Sequence, residues 1–180
     1  MDNRTPLQRH FNMSHIRSDS TKPEISLRHA LWRRGFRYRV NDKKLPGKPD
    51  LVLPKYHTII FVHGCFWHGH DGCKNYSVPK THTGFWQEKV ARNKERDQDV
   101  WRQLEAKGWG VIIVWECELK KAWFQNTLSR VDSEIRNNLE VYLASKENRI
   151  KARHIYLEAR RQQKEKEQAI KEELNHIFSH

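Results

Sequence analysis

The run Val62-His63-Gly64-Cys65-Phe66-Trp67-His68-Gly69-His70-Asp71-Gly72-Cys73 packs three histidines, two cysteines and two large aromatics into twelve residues. An ordinary core has no use for that mixture. Cys65, His70 and Cys73 read C-x4-H-x2-C, and Cys117 lies at the end of a distant apolar run. Soft thiolates and an imidazole on a Gly-rich loop suit a tetrahedral zinc ion, and four protein ligands would leave no open position. Such a site is expected to be structural. A catalytic zinc held by His63 or His68 is the alternative, and cysteines that are merely reduced are the bland one. The chain has three cysteines, an odd count that argues for thiolate ligands rather than a disulfide framework.

Asp50 precedes the short apolar stretch Leu51-Val52-Leu53, and Thr58-Ile59-Ile60-Phe61-Val62 follows a turn at 54–57. A hairpin brings the start of its first strand near the end of its second, so Asp50 and His63 are expected to converge. A carboxylate there can hold Mg²⁺ against a phosphate, and a nearby histidine can take or give a proton near neutral pH. A loop cap for Asp50 and hydrogen-bonded surface or core histidines are the alternatives. Phe66 and Trp67 lie between candidate ligands and cannot all turn inward. Rigidly held aromatics can be pushed between bases, although packing over a metal would also account for them.

The flanking elements must position these groups. Thr21-Lys22-Pro23-Glu24 reads as a capping box with proline in the first turn, followed by a helix burying Ile25, Leu27, Ala30 and Leu31 and stopping at Gly35. Phe36 to Val40 alternates apolar and basic residues, as a half-exposed strand does. The nearly all-apolar Thr58–Val62 predicts a central strand buried on both faces. From Phe85 to Lys107 the pattern is helical, with Trp86, Val90, Asn93, Asp97, Trp101 and Leu104 on one stripe and Lys89 and Arg96 beside it. Trp101 and Leu104 are expected in the core. Asn93 and Asp97 belong to a site or to a shallow helix face. Gly110 to Trp115 is a further strand that delivers Glu116 and Cys117, and Leu128, Val131, Ile135, Leu139 and Tyr142 mark another amphipathic helix. Beyond Lys146 the chain is charged almost all round, as a solvated helix or an interaction arm is. Residues 1–20 form a basic arm, 21–121 a core and 122–180 a charged helical extension. The order of elements predicts an α/β or α+β sandwich on a mixed sheet.

Lys and Arg total 34 against 22 Asp and Glu, a formal net charge of +12, and seven of the 180 residues are Trp. A basic, Trp-rich chain suits a nucleic-acid partner, because it can neutralise phosphates and stack on bases. No apolar run approaches membrane-spanning length and no secretory leader is evident, so a cytoplasmic, nucleoid-associated protein is expected.

These residues resemble the very short patch repair (Vsr-type) DNA mismatch endonucleases over about Phe11 to Leu119. The resemblance rests on Asn12-Met13, Leu45-Pro46-Gly47-Lys48-Pro49-Asp50, His63-Gly64-Cys65-Phe66-Trp67-His68, Phe85-Trp86-Gln87-Glu88-Lys89 with Asn93 and Asp97, and Val114-Trp115-Glu116-Cys117. It implies a restriction-endonuclease-like fold, a central mixed β-sheet flanked by helices. It implies a nick 5′ to the thymine of a T:G mismatch, the lesion left when 5-methylcytosine deaminates. Mg²⁺ would sit on Asp50 and the main-chain carbonyl of Val62. His68 would be the main catalytic histidine, His63 would assist while paired to Asp97, and Glu24 would support the centre. Zinc would fall on Cys65, His70, Cys73 and Cys117. Phe66, Trp67 and Trp86 would form a major-groove wedge with Met13 entering from the minor groove, and Lys89 and Asn93 would read the mismatched bases. The partners implied are mismatched double-stranded DNA, mismatch-repair proteins and a cytosine-5 methyltransferase pathway, with the enzyme a monomer. Two departures stand out. The His68-to-Cys73 loop is one residue longer and poorer in histidine than the family form, which leaves a neighbour of His70 as an alternative ligand. Position 62 is valine where threonine is familiar, a change that a carbonyl ligand survives and a hydroxyl would not. Beyond about Lys121 nothing matches the family.

Overall fold

The computed structural model describes residues 20–178 together with Thr5, Leu7, Gln8 and Phe11, with side chains as far as Gln163. Met13 lies outside the described residues. Four strands form one sheet in the order β1 (Arg39–Val40), β2 (Leu51–Leu53), β3 (Thr58–His63) and β4 (Gly110–Trp115). The first two pairings are antiparallel and β3 runs parallel to β4. The sheet is therefore mixed. A parallel pair needs a long crossover, and α2 (Thr83–Ala106) supplies it.

Side chains alternate across the sheet, and the two faces build two cores. Leu51, Leu53, Ile60, Ile112 and Val114 pack with Leu27 and Leu31 of α1 (Lys22–Arg33), with Phe36, and with Leu128, Val131 and Ile135 of α3 (Phe124–Phe178). Val52, Ile59 and Phe61 face the other way, onto Leu104 of α2, with Trp101 half-buried beside them. Each fully buried Leu or Ile contributes roughly 1.5–3 kcal/mol. The result is helices on both faces of a mixed sheet, the α/β arrangement expected.

Three local expectations are corrected. The strand anticipated from Phe36 to Val40 shrinks to Arg39–Val40, because Phe36 turns fully into the core and Val40 is exposed. Ile25 points largely to solvent. The capping box does not close in the usual way. Thr21 is the N-cap but makes no side-chain cap bond. Its hydroxyl donates to Glu24 Oε1 at 2.7 Å, while the Ser20 N–H donates to Glu24 Oε2 at 2.9 Å. Glu24 is thus drawn inward instead of capping its own helix, with consequences for the site.

The chain divides into two compact units, Met1–Leu139 and Glu140–His180. The second is the continuation of α3.

Candidate active site and metal centre

A cleft of about 400 Å³ opens at one end of the sheet, lined by Glu24, Asp50, Val62, His63, His68 and Asp97 among others. The β2–β3 register brings Asp50 beside the end of β3, as a tight hairpin requires. The Val62 N–H donates to Asp50 Oδ2 at 2.7 Å. Burial lifts the Asp50 carboxyl to about 6 in spite of that bond, and nearby Glu24 pushes the same way. A buried carboxyl beside a second acid is stabilised as the anion by a hard dication. Carboxylate and carbonyl oxygens are the donors that Mg²⁺ prefers. The oxygen set of Asp50 and Val62 therefore fits such an ion.

Across the cleft, His68 Nδ1 and Asp97 Oδ2 are 2.5 Å apart. This corrects the pairing expected from sequence, in which Asp97 served His63. The reason lies in the loop after β3. A Gly64-O to His68-N turn folds His68 back over His63, and the two rings stack at 3.8 Å, 16° from parallel. His68 thereby takes Asp97 of α2, while His63 stacks against Trp101 of the same helix with centroids 5.8 Å apart. His63 is buried, and its Nδ1 has no partner among the described residues. Burial, and then the charge that His68 would carry when protonated, hold its pKa down to about 3, so it stays neutral near pH 7. Burial opposes charge on Asp97 too, but the bond to His68 and the surrounding positive charge outweigh it and keep the carboxyl below its ordinary range.

Arg28, which no sequence motif singles out, completes the acidic side. Its Nη2 lies 2.9 Å from Glu24 Oε2 and 3.5 Å from the main-chain oxygen of Asp50. The only signal in the sequence was its i,i+4 spacing from Glu24. Arg96, noted beside the α2 stripe, also lines the cleft and approaches Asp97 Oδ1 at 3.5 Å.

The second cluster is Cys65, His70, Cys73 and Cys117, whose four ligand atoms all lie within 4.8 Å of one another. His70 Nδ1 is 3.5 Å from Cys65 Sγ and 3.4 Å from Cys117 Sγ. Tetrahedral zinc, with Zn–S near 2.3 Å and Zn–N near 2.0 Å, puts S and N about 3.5 Å apart. The donor set and spacing thus fit zinc with His70 as the histidine, and His63 and His68 belong to the other cluster. The His70 ring lies flat on Trp115, centroids 4.1 Å apart, which fixes its direction. Burial pushes the Cys65 thiol up to about 12 and raises Cys117, while the Asn75 N–H lowers Cys73. A dication among these sulfurs would reverse the first two shifts by favouring thiolate.

The aromatics gather on the outer side of this loop. Phe66, Trp67 and Trp86 meet edge to face with centroids 5.0–6.1 Å apart, and exposed Phe85 abuts Trp86 at 5.3 Å. Lys89 Nζ stands 5.5 Å from the Trp67 and Trp86 rings. Asn93 donates its amide to the Trp67 carbonyl at 2.8 Å. The three wedge residues expected from sequence are therefore contiguous and half-exposed. Phe85 extends them.

Comparison with known proteins gives a consistent picture. The family model described as DNA mismatch endonuclease Vsr matches residues 1–75. A type II nicking enzyme, V.NmeAIP of Neisseria meningitidis serogroup A / serotype 4A (strain DSM 15465 / Z2491), is 50% identical over 134 residues, covering 74% of this chain and 95% of that protein. The DNA mismatch endonuclease Vsr of Escherichia coli (strain K12) is 46% identical over 109 residues, 61% of this chain and 69% of that one. The type II nicking enzyme V.XorIIP of Xanthomonas oryzae pv. oryzae (strain KACC10331 / KXO85) is 40% identical over 139 residues, 77% and 97% of the two chains.

Proposed function

Because the chain belongs to the Vsr family of DNA mismatch endonucleases, we propose that it nicks one strand of a duplex 5′ to the thymine of a T:G mismatch, with Mg²⁺ as the catalytic ion and zinc as a structural one. The reading is carried by one observation. The His68–Asp97 pair faces Asp50 across a single cleft, with half-exposed aromatic rings on the same loop as His68.

Asp50 and the Val62 carbonyl would hold Mg²⁺, which when bound supplies Lewis-acid stabilisation of the charge that develops on the phosphate. The remaining work falls to side chains. Asp97 holds His68 Nδ1 and so turns Nε2 toward the cleft. There Nε2 takes a proton from the attacking water, and Asp97 faces the positive charge the ring acquires. The water oxygen bonds to phosphorus as the bond to the leaving sugar oxygen breaks, and the departing oxygen collects a proton from solvent. His63, neutral and stacked on His68, sets the plane of the active ring and is not a proton donor. Glu24, bound by Arg28, orders the acidic side.

Phe66, Trp67 and Trp86 would enter the major groove beside the mispair and unstack it, at roughly 1–3 kcal/mol of stacking per base. Met13 would enter from the minor groove. Lys89 and Asn93 would read the mismatched bases. The relatives named type II nicking enzymes support a second reading of the specificity, a nicking endonuclease of the same fold acting on a different mismatch or structure. Both readings share the chemistry.

The test is a nicking assay on T:G and matched duplexes across all mismatches and varied contexts, with Mg²⁺ and with EDTA. Nicking only of T:G, and only with Mg²⁺, is expected. Asp50→Ala should retain mismatch binding and zinc while nicking falls by at least about 10²–10³-fold. Undiminished nicking by clean Asp50→Ala protein, or by wild type in EDTA, would overturn the assignment.

A further inference from the structure

The second unit carries a separate charged surface. Between Glu140 and Gln163 the chain is one continuous helix whose side chains are exposed, apart from half-buried Tyr142. At about 100° per residue, Lys146, Arg149, Arg153 and Arg160 fall within roughly a 60° arc of its surface. Glu140, Glu147 and Glu158 fall within roughly 20° of one another on the opposite side. The acidic face also neutralises itself. Lys151 pairs with Glu147 at 2.8 Å and His154 with Glu158 at 3.3 Å. The basic face has no such compensation. Arg149 donates to Ser145 Oγ at 3.2 Å. None of the four cations has a carboxylate partner among the described residues.

A solvated helix stabilises itself by mixing signs at i,i+4. This one does so on its acidic face and not on its basic face, which leaves four cations repelling one another along roughly 21 Å of helix, at 1.5 Å per residue. A row of like charges of that length is costly alone and favourable against a polyanion, and duplex DNA offers a charge about every 1.7 Å of its axis. Long, flexible basic side chains on a helix suit phosphates rather than base edges, because they supply charge without fixed base-edge geometry.

We propose that the Lys146–Arg149–Arg153–Arg160 stripe is a second, sequence-independent DNA-binding surface that grips the phosphate backbone of duplex DNA without regard to the mismatch. The inference rests on the DNA-endonuclease reading of the first unit for the choice of DNA over other polyanions. It also gives the extension a role: residence on undamaged duplex while the aromatic-lined site searches.

The experiment uses the full-length, zinc-loaded protein. Lys146, Arg149, Arg153 and Arg160 are changed together to Gln, which keeps helix propensity close to that of Lys and Arg. Lys151→Gln, one charge removed from the opposite face, is the control. Binding to matched duplex is measured between about 50 and 200 mM salt, alongside circular dichroism and single-turnover nicking of saturating T:G duplex. Each phosphate that the stripe neutralises should add about 0.9 to the steepness of log K against log salt. The fourfold variant should therefore show a slope smaller by roughly 2–4 and matched-duplex affinity at least about tenfold weaker, with helicity and saturated nicking rate unchanged. The control should keep the wild-type slope. An unchanged slope in the fourfold variant overturns the proposal, and so does a slope that falls equally per charge in the control. Stripe-dependent capture by anionic vesicles in place of duplex would also reject it. Failure of wild type to nick T:G duplex speaks against the catalytic reading and leaves the slope measurement standing on its own.

Discussion

Asp97 does most at the residue scale. It is buried on α2, yet it stays anionic because His68 and Arg96 face it. Its oxygen fixes Nδ1 of His68, the histidine proposed to act on the phosphate. Asp97→Asn keeps the size of the side chain but can present an amide to Nδ1, which favours the wrong tautomer of the ring. Nicking of mismatched duplex should fall by roughly 10²–10³-fold, with zinc content and duplex affinity retained. Single-turnover rates at saturating enzyme check this. His63→Gln should cost less, about tenfold, if His63 supports the ring of His68 by stacking and passes no proton, as proposed. If the two losses came out in the reverse order, the pairing seen here would not be the one that operates. Sequence could nominate both histidines. It could not say which of them holds the aspartate, since both lie on the same short run and only the turn from Gly64 to His68 brings Nδ1 of His68 to Asp97.

The loop from Gly64 to Cys73 is the decisive element. It has few apolar residues, and it must aim His68 one way and His70 the other. Gly69, between them, has φ +62° and lies against α2, so a Cβ there would meet Val90 Cγ1 and Lys94 Cε, each at 2.5 Å. Gly72 has φ +72° but open space around it. Gly69→Ala should therefore suffer both strain and collision, about 2–3 kcal/mol, and should slow nicking by displacing His68 from Asp97. Gly72→Ala carries strain alone, about 1 kcal/mol, with activity close to wild type. Urea denaturation of the two variants separates them. The same loop carries three of the four residues proposed to hold zinc. Removal of zinc by a strong chelator should destabilise the first unit by several kcal/mol, on the order of the 10 kcal/mol such ions can supply. Lowered thermal stability restored by zinc and not by magnesium would be the signature. Equal stability with and without zinc would mean that the four ligands are not a structural site.

On the scale of the whole molecule, net charge of +12 sets up attraction to DNA, and the fold decides where that attraction acts. Basic and aromatic groups meet around Lys89 at one place, and four uncompensated cations line the second unit at another. No helix among the described residues is long and apolar enough to cross a membrane. The sheet and its helices were legible in outline because burial marks the sequence: near-continuous apolar runs in β3 and β4, and three-to-four-residue steps in α1, α2 and the start of α3. Residues 36–40 misled because alternation in a short stretch cannot distinguish a strand from a core anchor followed by an exposed segment.

Local chemistry was thus written in the chain itself. Which residues could bind a soft ion, which acid heads a hairpin, and which rings sit between ligands all follow from side-chain type and short spacing. Tertiary structure alone decided the partnerships: His68 with Asp97, Arg28 with the Asp50 backbone, and His70 between Cys65 and Cys117. Those depend on how loops fold back and on distances between elements apart in sequence, which residue type and short spacing do not set.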